Sequence, residues 1–169
     1  METTVFQAVS TYQLLELMVY RKMYCNDTKA VLFMPEWLRQ KIVNEEAFSE
    51  FFDKIVIFQH WFDFKNPQVG EKIEEYFDEL LRKENIFIDE VQDIHIAGAQ
   101  YGLGSYLCIK KIPFALWEDA SKIILQPEIL LGIEQGINES RAEFNNKLGL
   151  YSGDAENIEK IYASVSPDE

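Results

Sequence analysis

Short apolar and β-branched runs alternate along this chain with longer stretches in which apolar positions recur every three or four residues. Positions 4–9, 30–34, 54–58, 94–97 and 113–117 read as strands. The segment from 12 to about 24 reads as a helix, opened by Ser10 and Gln13 at the three-residue offset of a capping box. A second helix follows Pro35, with Trp37, Leu38, Ile42 and Val43 as its inner stripe, and a third opens at Asn66-Pro67 and carries Val69, Ile73, Phe77, Leu80 and Leu81 inward. Gly102 and Gly104 open a fourth, 103–111, which ends in Lys110-Lys111, basic residues that suit a helix C-terminus. Strand-helix alternation with right-handed crossovers predicts an α/β fold, a Rossmann-like, mostly parallel sheet of about five strands in the order 3-2-1-4-5 with helices on both faces. Beyond Asp119 the pattern loosens. Segments 127–133, 138–148 and 153–165 read as helices with no strand among them, so residues 1–125 are expected to form the sheet domain and 126–169 a helical tail that packs on it or leads to a second domain.

Open α/β sheets bind ligands outside the carboxyl ends of their strands. Gly98, Ala99, Gln100 and Tyr101 follow the fourth strand, Glu118 and Asp119 follow the fifth, and all are expected on one rim. Two adjacent, partly desolvated carboxylates suit one of them to general-base work, which makes Glu118 and Asp119 the catalytic candidates; the alternative is that they cap the next turn or face solvent. Gln100 and Tyr101 could hydrogen-bond a ligand's hydroxyls, and Ser10 and Thr11 could bind ligand or cap the first helix. His95, inside a strand, reads as a packed imidazole. His60-Trp61-Phe62 reads as loop packing or as a sugar-stacking cluster. The first strand ends in Val9-Ser10-Thr11-Tyr12 without a glycine, which argues against a dinucleotide site.

The chain has 169 residues, and 47% of them are hydrophobic, enough to build a full core. The net charge of -13 argues against nucleic acid and anionic lipid, both of which need clustered Lys and Arg. The acidic run Glu71, Glu74, Glu75, Asp78 and Glu79 reads as a solvated helix face. Cys25 and Cys108 have no metal-ligand or redox spacing and read as reduced, buried thiols, so no metal is expected. With neither a signal-peptide pattern nor a membrane-spanning run, a cytoplasmic location is expected.

Three stretches carry a family resemblance: Phe6-Gln7-Ala8-Val9-Ser10-Thr11-Tyr12-Gln13-Leu14, Ile96-Ala97-Gly98-Ala99-Gln100, and above all Phe114-Ala115-Leu116-Trp117-Glu118-Asp119-Ala120. Over residues 3 to 125 the chain resembles the N-terminal half of the bacterial sialyltransferases of glycosyltransferase family 52 and the related capsule polysialyltransferases. The resemblance implies half of a GT-B architecture, two Rossmann-like domains facing across a cleft. It implies that Glu118, the first acid of the motif, deprotonates an acceptor hydroxyl of a glycan, which attacks a CMP-activated sugar with inversion and without a metal, while Asp119 supports it. Such enzymes serve capsule or lipooligosaccharide biosynthesis. The alternative is a non-catalytic Rossmann-like interaction domain.

Two positions depart from the family pattern. Ala120 stands where the family has Gly, and the His-Pro motif that binds the donor's phosphates has no counterpart, because neither His60 nor His95 precedes a proline. The donor-binding half is therefore expected elsewhere, in a second domain or partner chain, and this chain alone is expected to be inactive. Aromatic residues near the rim and in the tail (Trp61, Phe62, Phe64, Phe144, Tyr151, Tyr162) predict apolar surface through which the chain forms a homodimer or receives that second domain.

Overall fold

The computed structural model describes residues 2–42, 44, 46–118 and 125–163. Its centre is one six-stranded sheet in which every pairing is parallel, ordered β3-β2-β1-β4-β5-β6. The strands are β1 (Thr3–Gln7), β2 (Lys29–Pro35), β3 (Lys54–Phe58), β4 (Asp93–Ala97), β5 (Phe114–Trp117) and β6 (Ile158–Tyr162). The helices are α1 (Thr11–Tyr24), α2 (Glu36–Arg39), α3 (Val69–Lys83), α4 (Leu103–Lys110) and α5 (Pro127–Lys147). The predicted parallel α/β architecture and the order of the first five strands are both present.

Both faces of the sheet are buried, as a parallel sheet requires. Alternate residues divide between the faces: Val5, Val31, Phe33, Ile94, Ile96, Phe114 and Leu116 pack with Ile73, Phe77, Leu103 and Leu107 of α3 and α4. Phe6, Leu32, Met34 and Ala97 pack with Leu14 and Leu17 of α1. The capping box is formed: Ser10 Oγ accepts the Gln13 N–H at 3.2 Å, and Gln13 Oε1 accepts the Ser10 N–H at 3.2 Å and the Val9 N–H at 2.9 Å.

Four sequence expectations change. The tail returns to the sheet: 158–162 is not helical but pairs with β5, which raises the strand count from about five to six. The helix after Pro35 is a single turn that ends at Arg39; Val43, assigned to its stripe, lies outside the described residues. Asn66 does not cap α3, which starts two residues later with Gln68 at the cap; Asn66 instead closes a turn, its Oδ1 accepting the Gln68 N–H at 2.9 Å. The two helices read at 127–133 and 138–148 form one element, α5, interrupted at Asn138 (φ -156°, ψ 95°), whose Oδ1 accepts the Arg141 N–H at 3.0 Å and so caps the second half. Among the described residues no helix is long and apolar enough to cross a membrane.

Candidate functional site

The strand order reverses between β1 and β4, since β1 leads to β2 on one side and β3 crosses back to β4 on the other. The carboxyl ends of neighbouring strands β1, β4 and β5 therefore carry Ser10 and Thr11, Gly98 to Tyr101, and Glu118 onto one rim. Asp119 lies outside the described residues.

Gly98 makes the turn that ends β4. Its φ of +64° lies in the left-handed region, and a Cβ there would sit 2.2 Å from Val9 Cγ2, so only glycine fits. Gln7 fixes the same turn from the neighbouring strand. Its Nε2 donates to the carbonyls of Ala97 and Gly98, both at 2.9 Å, and its side chain is fully buried. Sequence reasoning gave Gln7 no role, although a glutamine inside an apolar strand is the available signal, because a buried amide must find partners.

The predicted site residues differ in what they present. Ser10 spends its hydroxyl on the capping box, and Thr11 is exposed at the start of α1. Ala99 and Gln100 are buried, and the Gln100 carbonyl accepts from Asn145 Nδ2 at 3.0 Å. Tyr101 is half-buried between the Trp37 ring, 5.3 Å away, and the Arg141 guanidinium, whose Cζ lies 4.8 Å from the Tyr101 ring centre. Glu118 is 6% exposed, and its N–H donates to the Tyr162 carbonyl at 2.9 Å, so β6 holds the backbone that carries the carboxylate. Tyr12, exposed in the first turn of α1, has its phenol pKa raised first by its hydrogen bond to Glu16 and by that residue's charge, and also by the Glu118 carboxylate.

Two further groups, Trp37 and Arg141, border the rim; sequence reasoning placed Trp37 only in a helix stripe and assigned Arg141 no role. Trp37 donates its indole N–H to the Val9 carbonyl at 3.1 Å and packs edge-on to His60 at 4.1 Å. Burial, with the Arg141 charge, pushes the His60 imidazole below its ordinary pKa. Arg141 itself donates to Glu134 at 2.5 Å; both side chains are buried, and both come from α5. On the α1 face, His95 is 3% exposed, stacks on Phe6 at 5.3 Å and accepts the Trp117 indole N–H on Nδ1 at 3.2 Å. Desolvation lowers its pKa to about 4, so it is a neutral core imidazole. Burial pushes both thiols up, Cys108 to about 11, which leaves them poor nucleophiles.

A cleft of about 450 Å³ opens at the opposite, amino end of β4 and β5. Its charged lining is balanced, Asp89, Asp93 and Glu159 against Lys110, Lys111 and Lys160, and Lys110 is already paired with Glu74 and Asp78. It therefore shows no preference for either sign of ligand, whereas the rim joins a reversal in strand order to a buried carboxylate. Among the described residues no three His, Cys, Asp or Glu side chains gather as a metal would require. No family model, no curated protein and no solved structure matches the chain.

Proposed function

We propose that this chain is the acceptor-binding, base-supplying half of an inverting glycosyltransferase of the sialyltransferase-like kind, with Glu118 as the base. The observation that carries the reading is the placement of the buried Glu118 at the carboxyl end of β5, one strand from the Gly98 turn. The Glu118 N–H is anchored to β6, so the backbone that carries the carboxylate is held at the strand end. In the proposed step Glu118 takes the acceptor hydroxyl's proton while that oxygen bonds to the anomeric carbon of a CMP-sugar, and the bond from that carbon to the phosphate oxygen breaks with CMP leaving. A second domain or partner chain supplies the CMP-sugar and its phosphate contacts. Thr11, exposed at the start of α1, and the half-buried Tyr101 are the residues we assign to acceptor hydroxyls.

Titration of the isotope-labelled chain with sialic-acid- and galactose-terminated oligosaccharides tests the acceptor half. The expected amide shifts cluster on residues 97 to 101 and on Trp117 and Glu118. With the donor half supplied in trans, Glu118→Gln should lower transfer by about a hundredfold or more while acceptor binding persists. If no acceptor moves those amides, the reading fails.

A second reading, a non-catalytic interaction domain, has its own observation. Tyr12, Leu15, Val19 and Met23 of α1 form a stripe 51% to 63% exposed, and Tyr12 places it beside the rim. Solvent-exposed apolar stripes of this length mark surfaces that meet a partner. Binding of oligosaccharide at the rim separates the two readings, because an interaction domain would leave those amides unmoved.

A further inference from the structure

The first half of α5 is built inside out. Of its residues up to Asn138, only Glu134 is buried, and that carboxylate is held by Arg141 from the second half. Leu125, just before the helix, and Ile129, Ile133 and Ile137 within it are 46% to 62% exposed. A surface helix ordinarily turns its apolar stripe inward and its charges outward. Here the polar contact anchors the helix and the isoleucines face away.

The three isoleucines are spaced four apart within the helix, so they form one continuous ridge along its surface. The adjacent row holds Gly132 and Gly136, and a Cβ built on either meets nothing within 4 Å. That row is an empty groove beside the ridge. We propose that this face binds a second copy of the same chain, with the Ile133–Ile137 ridge of each copy lying in the Gly132–Gly136 groove of the other. Ridge and groove sit on one surface with one spacing, so a two-fold axis satisfies both at once, which is the property an isologous interface needs. Two rows of this kind pack at a crossing angle of about -50°.

Charge favours the same occupant. Between Leu125 and Asn138 the only exposed charge is Glu128, and no cation is present, on a chain whose net charge is -13. The face carries a single exposed carboxylate, Glu128 at the N-terminal end of the Gly132–Gly136 row, so a second, equally acidic copy meets little repulsion at the contact itself. A basic partner would find only Glu128 to pair with, and an anionic membrane would find no Lys or Arg. The area is modest: three helical turns against three bury roughly 600 to 800 Å² in total, below the about 1,200 Å² of standard stable complexes. The dimer is accordingly weak and concentration-dependent, and it tightens as salt screens the repulsion between the two acidic bodies.

Sedimentation velocity across a hundredfold concentration range, at low and high ionic strength, tests it. The expected result is a shift from the monomer toward twice its mass, at lower concentration in high salt. Ile133→Glu should hold the chain at monomer mass throughout. Gly132→Leu should do the same while raising the thermal midpoint, because leucine is the better helix former at an open position; loss of association together with a gain in stability cannot come from misfolding. Phe87→Lys, at an exposed apolar position outside α5, should dimerise like the parent. A parent chain that stays monomeric in both buffers overturns the proposal, as does a dimer that survives Ile133→Glu, or partition onto neutral phosphatidylcholine vesicles in place of self-association.

Discussion

Val9 fills the space into which any side chain on Gly98 would project. The contact ties the loop after β1 to the turn after β4 across the point where strand order reverses, with Val9 Cγ2 2.2 Å from an ideal Gly98 Cβ. Gly98→Ala therefore meets two penalties, left-handed backbone strain of about 1 to 2 kcal/mol and an overlap costing about 1 to 3 kcal/mol more. Urea denaturation should show a loss of about 3 kcal/mol. In the double variant with Val9→Ala the loss should be smaller than the sum of the single losses by about 1 kcal/mol or more, because the colliding methyls are gone while the strain remains.

Gln7 is the positioning residue for the same turn. Gln7→Leu keeps the volume and removes both donors, leaving the Ala97 and Gly98 carbonyls short of partners inside the protein. A loss of about 2 kcal/mol is expected. The local readout is amide exchange: Gly98 to Tyr101 should exchange faster by a larger factor than the rest of the sheet, which uniform destabilisation would not produce.

His95 makes stability depend on pH in a defined window. Burial lowers its pKa from the ordinary 6.5 to about 4, so below 6.5 the unfolded chain takes up a proton that the folded chain refuses. The folded state therefore loses stability as pH falls from 6.5 to about 4, by about 3 kcal/mol, and the neutral imidazole is fully favourable above that window. Carboxylates titrate in the same range, so the measurement is a difference. Denaturation of the parent and of His95→Gln at pH 7.5 and 4.5 should show the parent losing about 3 kcal/mol more on acidification, since Asp93 and Lys160, the charges nearest the ring, remain in both.

Glu134 and Arg141 are both 2% exposed. Breaking such a pair strands a buried charge, so Arg141→Met alone should cost about 3 to 5 kcal/mol. Replacing both, Glu134→Leu with Arg141→Met, should recover most of that loss. Thermal melts of the two variants against the parent check the order. A double variant as unstable as the single would mean that the Arg141 stack on Tyr101, and not the ion pair, holds α5 in place.

The period of the apolar pattern made most of the sheet legible, and it also concealed one strand. Phe114 pairs with Ile158 and Ala115 with Lys160, so Glu159 is an extra residue at a bulge. The insertion shifts the alternation and leaves Ile158, Ile161 and Tyr162 at offsets of three and four, which is the signature of a helix. The inverted half of α5 was hidden for a related reason: spacing shows that one face is apolar but not which way it turns, and the partner that turns it, Arg141, lies beyond the Asn138 break. Of the aromatics expected to lie surplus on the surface, Tyr151 is buried and Phe62, Phe64 and Phe144 pack against the core, while Trp61 remains exposed. At the rim, Gly98 and Glu118 were visible because a turn and a strand end each demand particular residue types. Trp37 and Arg141 were not, since their nearness to Tyr101 exists only after three separate segments have come together.

The strand order also sets a timetable for assembly. β1 lies in the interior of the sheet, flanked by β2 on one side and β4 on the other. The first flank closes locally, but the second waits for residues about ninety positions further along, as the Gln7 contact to Ala97 measures. Without β4, the sheet order would leave β1 as an open edge beside β2, carrying Val5 and Phe6 and a row of unpaired amides. Such an edge is a template for any passing strand, and a contact so distant in sequence closes slowly. The pairing of β1 with β4 therefore closes the edge at which a foreign strand could otherwise add to this sheet.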